Sequence, residues 1–351
     1  MCATRSLVCL ALAACLPACG DGGARDVPLE IVAESSHRWT GVAVTPDGRV
    51  FVNYPRWSDD VPISVAEIVD GKPVPFPDAE SNAWDASKDV GSHHVCVQSV
   101  TVDDKGHLWI LDPGNVKWGG VIPGAAKLTR HDLATGSTDR WIFDAKTAPS
   151  DSYLNDVRVD TDTQTAYITD SGAGALVVLD LKTGLKRRVL DDHPSTNAEP
   201  IDITIEGKRW ARDGKTPQVH ADGIGLSPDR QWVYYQALTG RTMYRVPTAA
   251  LRDVDLSAKD LAATVEPIGR SGVSDGLIFD AKGNLYLSSL EENAINRFDT
   301  NHDRHLVVKD PRLSWPDSFA LGPDGWIYVT TAMIHRGDDP GEPFRVWRFK
   351  P

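Results

Sequence analysis

Polar side chains recur at one position of a repeated strand–turn–strand pattern. Each repeat has a polar residue, a short apolar strand, a turn rich in Asp, Gly or Pro, and a second apolar strand, as in Asp222 before the apolar residues 223–226. All of the leading residues carry side-chain oxygen atoms, which together would suit a cation or a polar molecule. The six leading residues are Thr40, Gln98, Asn155, Asp222, Asp275 and Asp317.

The spacing of these residues indicates the fold. They stand about 40 to 70 residues apart, which is the length of a four-stranded propeller blade with its loops. The repeats predict an all-β fold, a six-bladed β-propeller with four-stranded blades, over residues 29–351. Residues 29–33 are a candidate strand to complete the last blade. A stack of β-sandwiches is the rival fold, but each repeat carries one hairpin rather than a Greek key.

The leading residues are expected around one mouth of the central channel, because the innermost strand of each blade lines that channel. The predicted ligand-binding residues there are Gln98, Asn155, Asp222, Asp275 and Asp317. Crowded carboxylates repel unless a cation, a shared proton or solvent relieves them. Asn155, Asp222 and Asp275 are candidate ligands of Ca²⁺, since hard oxygen atoms suit that ion. The structural alternative is that Asp before Gly is favourable turn chemistry.

Three further residues flank the predicted mouth. His220 lies two residues before Asp222 and is a candidate catalytic general base, because imidazole titrates near neutral pH; a spectator paired with an acid is the alternative. Asp112 and Asp170 follow the second strands of two blades. We expect them to add to the ligand-binding pocket, unless they are turn residues.

Aromatic residues are candidates for covering the mouth. Trp315 and Tyr153 precede two inner strands, and either form an aromatic wall or pack in the interior. Residues 53–96 are rich in proline and contain Trp57 and Trp84. A loop of this length in a compact domain is usually a lid or disordered, and the two tryptophans favour a packed lid.

Composition argues against several classes of partner. The formal net charge of −12 disfavours nucleic acid and anionic lipid surfaces, since both attract basic patches. Four of the five cysteines lie within residues 1–19, so Cys96 has no partner in the body for an internal disulfide or a thiolate metal cluster. The sequence has no P-loop, G-x-S-x-G or H-E-x-x-H motif. We expect a monomer with a small-molecule ligand.

The first residues carry a targeting signal. Arg5 precedes an apolar run at residues 7–14, far shorter than the roughly 20 residues that a membrane span needs. Small residues then precede Cys15 and Cys19, and both sites resemble a bacterial lipobox, whose cysteine is lipid-modified after cleavage. An ordinary cleaved secretory signal is the alternative.

These features divide the N-terminal region. Residues 1–19 are predicted to be a signal peptide with lipobox and residues 20–28 a flexible tether. The predicted location is extracytoplasmic, as a periplasmic or cell-surface lipoprotein or as a secreted protein. Membrane attachment is expected only through the N-terminal lipid anchor.

The body of the chain resembles the major royal jelly protein and Yellow family of six-bladed propellers from about Trp39 to Phe349. The resemblance rests on stretches such as Leu-Asn-Asp-Val-Arg-Val-Asp at 154–160 and Leu-Ser-Trp-Pro-Asp-Ser-Phe-Ala at 313–320. It implies a secreted propeller; some family members are linked to dopachrome conversion or to binding of biogenic amines, with no agreed catalytic set. Members often pair a cysteine at the place of Cys96 with another near residues 105–107, where this chain has none.

A more distant similarity is to gluconolactonase and regucalcin-like propellers. Those proteins hold a divalent ion through Asn and Asp at blade starts and an acid on the first blade. Asn155 and Asp222 fit that arrangement, but Thr40 stands where the acid is expected.

Four functions therefore remain open. They are binding of a small polar or cationic molecule in an acidic central pocket, a divalent-metal-dependent lactonase, a dopachrome-type tautomerase, and a protein-binding scaffold. Thr40 counts against the lactonase. The clustered acids count against the scaffold, which needs no special pocket chemistry.

Overall fold

Six four-stranded antiparallel sheets form the body of the protein and confirm the predicted propeller. The computed structural model describes residues 27–351, so the lipobox predictions at Cys15 and Cys19 lie outside the described residues. Within residues 27–351 no helix is long and apolar enough to cross a membrane.

The strands are numbered in chain order. The first strand is β1 (Glu30–Ser35). Blade one contains β2 (Val42–Val44), β3 (Val50–Asn53), β4 (Val65–Val69) and β5 (Lys72–Pro75). Blade two contains β6 (Ser99–Val102), β7 (His107–Asp112), β8 (Lys127–Asp132) and β9 (Thr138–Ile142). Blade three contains β10 (Leu154–Asp160), β11 (Thr165–Asp170), β12 (Ala175–Asp180) and β13 (Lys186–Val189).

A small hairpin of β14 (Thr204–Ile205) and β15 (Lys208–Arg209) separates blades three and four. Blade four contains β16 (Ala221–Leu226), β17 (Trp232–Ala237), β18 (Thr242–Pro247) and β19 (Glu266–Arg270). Blade five contains β20 (Leu277–Phe279), β21 (Leu285–Ser289), β22 (Ala294–Phe298) and β23 (Arg304–Lys309). Blade six contains β24 (Pro316–Leu321), β25 (Ile327–Thr331), β26 (Phe344–Phe349) and β1. The α-helices are α1 (Ala79–Asn82), α2 (Thr248–Arg252) and α3 (Ala258–Ala262).

The ring closes as the sequence predicts. Strand β1 pairs antiparallel with β26, with Glu30 opposite Arg348 and Ser35 opposite Phe344. The inner strands β2, β6, β10, β16, β20 and β24 each contact the next around the ring, and β24 contacts β2. Closure therefore places the six inner strands around one central channel.

The apolar core lies between neighbouring blades. Trp109 and Leu111 of blade two pack with Val157 and Ile168 of blade three, and all four are fully or almost fully buried. Because both faces of a blade are covered, the middle strands are apolar on both sides. This packing holds the inner strands in place relative to one another.

Residues 53–96 differ from the predicted lid. They contribute β4 and β5, which are the outer half of blade one, and the short helix α1. Pro73 and Pro75 lie in β5, an outer strand where a missing N–H is tolerated. Because proline is unusual within strands, these two residues made β5 difficult to recognise from the sequence. Only the loop after β3 reaches the channel mouth, through Trp57. Trp84 instead lies under the guanidinium of Arg56, 5.6 Å from its ring centroid.

Candidate functional site

Three inner strands begin with a β-bulge. The pairing register shifts between residues 154 and 157 in blade three, between 221 and 224 in blade four, and between 316 and 319 in blade six. Asn155, Asp222 and Asp317 lie inside these bulges. A bulge bends the strand and re-aims its side chains. The three leading residues therefore reach the channel mouth from positions within the strands.

Glycines after two of the acids allow neighbouring blades to approach closely. A Cβ atom on Gly223 would lie 2.0 Å from the carbonyl oxygen of Asp275, and a Cβ on Gly276 would lie 2.0 Å from the carbonyl oxygen of Asp317. Real side chains do not fit at such distances. The Asp-Gly pairs are thus required by the contact between inner strands and are not hairpin turns.

A cavity of about 100 Å³ opens where the inner strands begin. This is smaller than the roughly 150 Å³ cavity that accommodates benzene in an engineered protein interior, so the occupant must be small or only partly inserted. The polar side chains of the lining are Gln98, Asn155, Ser171, Asp222, Asp275 and Asp317. The aromatic side chains of the lining are Trp57, Trp118, Tyr153, Trp210 and Trp315.

A directed chain of hydrogen bonds connects the mouth with the floor. Trp57 Nε1 donates to the Tyr153 hydroxyl (2.6 Å), which donates to Gln98 Oε1 (3.0 Å). Gln98 Nε2 donates to Asn155 Oδ1 (3.3 Å), and Asn155 Nδ2 donates to Asp222 Oδ2 (2.7 Å). Each donor along this path is engaged. The chain therefore fixes the orientation of both amides and of the Asp222 carboxyl group.

The two oxygen atoms of Asp222 differ in their surroundings. Asp222 is 2% exposed, and Oδ1 is buried with no hydrogen-bond donor among the described residues. The carboxyl group of Asp275 lies beside that of Asp222 and accepts a hydrogen bond from Trp315 Nε1 at 2.7 Å. Trp315 itself has a φ of 54°, an unusual value for a bulky residue that indicates a side chain held in place by its surroundings. The two carboxyl groups are also in hydrogen-bond contact with each other, so the floor is a carboxyl pair that can share a proton.

Burial and mutual repulsion change the acidity of the floor. Burial, and then the fields of Asp275, Asp156 and Asp317, raise the pKa of Asp222 well above its usual range. Burial raises the pKa of Asp275 to about 7, although the Trp315 N–H acts in the opposite direction. Burial and the Asp275 carboxyl also raise the pKa of Asp317. The cluster therefore favours uptake of protons or of another cation.

Two arginines offset part of this negative charge. Burial raises the pKa of Asp156, and the positive charge of Arg158, two residues later on the same strand, acts in the opposite direction. The Arg158 guanidinium also donates a hydrogen bond to the Leu277 carbonyl at 2.6 Å. Arg38 acts in the same sense on the pKa of Asp317. Four acidic side chains thus share the channel with partial compensation, and the channel mouth remains attractive to a cation.

The aromatic walls come from separate loops. Trp57 and Trp118 stack with ring centroids 5.1 Å apart, and the guanidinium of Arg212 lies 4.8 Å from the centroid of Trp118. Trp210 meets Trp315 edge to face at 4.9 Å. Trp118 is 47% exposed. The aromatic surface is therefore accessible from solvent next to the cavity.

The hairpin of β14 and β15 supplies one side of this wall. Its turn residue Glu206 accepts hydrogen bonds from Ser314 Oγ (2.7 Å) and Arg336 Nη2 (2.8 Å) and pairs with His335 Nε2 (3.1 Å). Burial alone would raise its pKa, but the bonds from Arg336, Ser314 and His335 lower the pKa of Glu206 to about 2. These contacts of Glu206 hold the hairpin against the loops of blade six.

The structure brings together five of the leading residues and leaves Thr40 outside the cavity lining. Thr40 is fully buried, and its hydroxyl donates to the Gln98 carbonyl at 2.9 Å. Trp315 and Tyr153 line the cavity, so the aromatic-wall alternative describes them better than interior packing alone.

Asp112 and Asp170 do not reach the cavity, contrary to expectation. Asp112 pairs with the buried Lys127 at 3.0 Å and accepts from three backbone amides, those of residues 95, 96 and 114. Asp170 pairs with Arg188 at 2.5 Å and accepts from the Tyr153 amide at 2.8 Å. Both side chains hold in place the loops that carry the site, because each joins a backbone amide of a loop to a basic side chain of the same blade.

His220 also lies beside the cavity and does not line it. Its Nδ1 accepts from the Ala198 amide at 3.1 Å, and burial lowers the pKa of the imidazole. The preceding residue, Val219, faces the cavity instead, since neighbouring residues of an extended chain point to opposite sides. This position gives His220 no contact with a ligand in the cavity.

The described arrangement does not fit a divalent ion. Among residues 27–351 there is no group of three His, Cys, Asp or Glu side chains arranged to ligate a metal. Asn155 turns its amide nitrogen toward Asp222, and one oxygen of Asp275 is occupied by Trp315. Calcium binding through Asn155, Asp222 and Asp275 stays a prediction.

Sequence reasoning missed the residues of the hairpin and of one loop. Trp118, Trp210 and Arg212 line the cavity although none follows the blade repeat. The sequence did contain a hint of this insertion. The number of residues between Asn155 and Asp222 is the largest between consecutive leading residues. That extra length accommodates the hairpin.

Fold and cavity define a six-bladed propeller with an acidic, aromatic-walled cavity at one mouth of its channel. The sequence model described as "Major royal jelly protein" matches residues 95–320, well over half of the chain. The chain belongs to the major royal jelly protein family.

Curated relatives include "Protein yellow" of Drosophila erecta, which is 26% identical over 227 residues, covering 58% of this chain and 40% of the relative. "Protein yellow" of Drosophila pseudoobscura pseudoobscura is 24% identical over 272 residues, covering 70% and 47%. The matched region thus spans less than half the length of these relatives.

Solved structures support the same fold. A gluconolactonase from Xanthomonas campestris superposes with a TM-score of 0.58 at 16% identity, covering 93% of this chain and 90% of that one. Regucalcin from Agrobacterium tumefaciens, described as a calcium-binding protein, gives a TM-score of 0.54 at 17% identity, covering 92% and 95%. At these identities the likeness concerns the fold alone.

Proposed function

We propose that this protein binds a small organic cation at the mouth of its propeller channel. The observation that carries the proposal is the cluster of three buried carboxyl groups, Asp222, Asp275 and Asp317, beneath a wall of tryptophans. Carboxylates attract a cationic group, and tryptophan faces contribute about 0.5–2 kcal/mol to binding a cation. The acidic floor and the aromatic wall therefore favour the same class of ligand.

A matched pair of probes tests this proposal. Phenethylamine is a cation at pH 7.5, whereas 2-phenylethanol has a similar shape and no charge. Titration of the purified full-length protein, followed by tryptophan fluorescence and calorimetry, should give at least about tenfold tighter binding of the amine. Equal binding of the two probes, or no binding of either, would contradict the proposal.

The proposed location is extracytoplasmic, with a lipid anchor at Cys19 or Cys15. The apolar run and the following small residues support it. Replacing each cysteine by serine and following incorporation of labelled fatty acid would identify the site. No incorporation in the unmodified protein would leave a cleaved secretory signal as the explanation.

A metal-dependent hydrolase is the second candidate, favoured by the cluster of buried carboxyl groups, whose mutual repulsion a cation of any kind would relieve. The fold it shares with a gluconolactonase agrees with this alternative. The described side chains do not fit a divalent ion, so this candidate lacks the set of ligands that a metal-activated water needs. Thermal unfolding with Ca²⁺ or with chelator decides the matter: an unchanged midpoint counts against calcium.

A further inference from the structure

The entrance to the cavity is formed by two exposed side chains that touch each other. Among the residues that line the cavity, Trp118 and Arg212 are exposed, and the others are buried or half-buried. Trp118 belongs to the loop after β7, and Arg212 follows the hairpin of β14 and β15. The Arg212 guanidinium lies 4.8 Å from the centroid of the Trp118 ring, which stacks on Trp57. The way in from solvent therefore passes between these side chains and widens when their contact breaks.

The hairpin on one side of this entrance is fixed. Its residues Ile203, Ile205 and Trp210 are buried. They pack in one cluster with Leu290 and Trp315, which are fully buried. Lifting the hairpin would expose three large apolar side chains to water, which is strongly unfavourable. The hairpin is therefore a rigid roof over the cavity.

The loop on the other side has a pinned base and an exposed tip. Asn115 is buried, and its side-chain amide donates to the Ser152 carbonyl at 3.0 Å and accepts from the Gly120 amide at 3.0 Å. Residues 117–119, by contrast, are exposed. We call residues 116–119 the gate segment. It can move about Asn115 and Gly120 while the buried base of the loop stays in place.

The backbone of the gate segment is strained when Trp118 is stacked. Lys117 and Trp118 are consecutive, and their φ values are 52° and 55°, in the left-handed region. Residues with bulky side chains adopt this conformation only where surrounding contacts enforce it. The enforcing contacts are made by Trp57, Arg56 and Asp59. Breaking these contacts releases the strain, so the backbone itself favours opening.

We propose that the gate segment opens the cavity: Trp118 leaves Trp57 and Arg212 and swings outward, while the hairpin of β14 and β15 stays in place. Because such a gate acts on any small molecule that enters, its test does not depend on the proposed binding of a cation.

A cysteine placed inside the cavity reports on opening. Ser171 lines the cavity and is buried, and Ser171→Cys introduces a thiol of similar size. Methyl methanethiosulfonate transfers its methylthio group to a thiol and releases methanesulfinate, so the rate of this reaction at residue 171 measures access. The reaction is followed on the full-length protein by mass spectrometry of the peptide that contains residue 171. Reaction at the natural cysteines is thereby kept out of the measurement.

Two variants in this background identify the moving part. Trp118→Ala should accelerate the reaction about 5- to 50-fold, because both the stack and the cation–π contact are lost. Glu206→Gln loosens the tip of the hairpin and should change the rate by less than about twofold, since the buried apolar side chains still hold the hairpin. No acceleration in Trp118→Ala overturns the proposal. Equal acceleration in Glu206→Gln also overturns it, because the hairpin would then be what moves.

A second pair of variants distinguishes a moving gate from a fixed opening. Asn adopts the left-handed conformation more readily than Lys, so Lys117→Asn should stabilise the closed arrangement and slow the reaction about two- to fivefold. Lys117→Met removes the same ion pair with Asp59 but retains the strain, and it is the matched control. Equal rates in these two variants would show that backbone motion does not limit entry and would overturn the proposal.

Hydrogen exchange of the unmodified protein decides the matter if Ser171→Cys does not fold. The amides of Lys117 and Gly119 should exchange faster than the amide of Trp210, which donates to the Ile203 carbonyl at 2.8 Å within the hairpin region. Faster exchange at Trp210 than at the gate segment overturns the proposal.

Discussion

Asn155 Nδ2 donates to Asp222 Oδ2 across 2.7 Å and joins the inner strands of blades three and four. The same amide group accepts from Gln98 of the preceding blade through Oδ1. One side chain thus links three blades at the floor of the cavity. Its removal tests whether the hydrogen-bond chain supports binding.

We expect Asn155→Ala to destabilise the protein by about 1–3 kcal/mol, because Asp222 Oδ2 and Gln98 Nε2 lose their partner in a buried site. Phenethylamine affinity should fall about tenfold. Chemical denaturation and calorimetry measure the two effects. Asn301→Ala is a control on an exposed turn. Unchanged stability and affinity in Asn155→Ala would show that the chain is dispensable.

The indole N–H of Trp315 should contribute to the stability of the fold, in addition to the packing of its ring. Trp315→Phe keeps an aromatic side chain but removes the donor to Asp275, so it should cost about 1–3 kcal/mol more than Trp347→Phe. Trp347 is the matched control, because it is 2% exposed and its Nε1 has no acceptor among the described residues. Equal midpoints of unfolding for the two variants would contradict a role for this hydrogen bond.

Arg212 partly covers the aromatic surface by lying over Trp118. An incoming cation has to compete with this guanidinium for the ring. Since a cation–π contact at an exposed site is worth about 0.5–1 kcal/mol, Arg212→Ala should raise the association rate constant about two- to fivefold. Stopped-flow fluorescence measures the rate. Lys215→Ala removes an equal charge from the same hairpin region, and an equal acceleration there would indicate a general electrostatic effect.

Binding of a cation should depend on pH near neutrality. Burial raises the pKa of Asp275 to about 7, so its carboxyl group ionises as the pH rises through that value. The ionised form attracts a cation, and phenethylamine affinity should rise roughly tenfold between pH 6 and 8. Asp275→Asn should flatten this profile. A pH-independent affinity in the unmodified protein would show that the ionisation of Asp275 does not control binding.

Glu206 should stabilise the hairpin above acidic pH. Its folded-state pKa is lowered to about 2, so its contribution is present above the usual Glu pKa and is lost as the pH falls from about 5 toward 2. The difference in unfolding midpoint between Glu206→Gln and the unmodified protein should shrink over that range. Glu34→Gln, in a more exposed ion pair with Arg345, is the control and should have a small effect throughout. A constant difference for Glu206→Gln would contradict the prediction.

Much of the fold follows from the sequence alone. The repeated pattern of a polar residue, an apolar strand, a turn and an apolar strand is local, so it could be found without any contact information. It predicted the six blades and the strand that closes them. It also located Asn155, Asp222 and Asp275 at equivalent points of their blades, since a repeat places matching residues at matching positions.

Other features were decided only by the tertiary structure. Asp112 and Asp170 have the same residue type as the floor acids, but Lys127 and Arg188, brought from other strands of the same blades, hold them outside the cavity. The wall depends on Trp118 and a hairpin that interrupts the repeat. The sequence determined which side chains stand at the blade starts, because that pattern is periodic. Only folding decided which of them share a cavity, because contacts between blades join residues far apart in the chain.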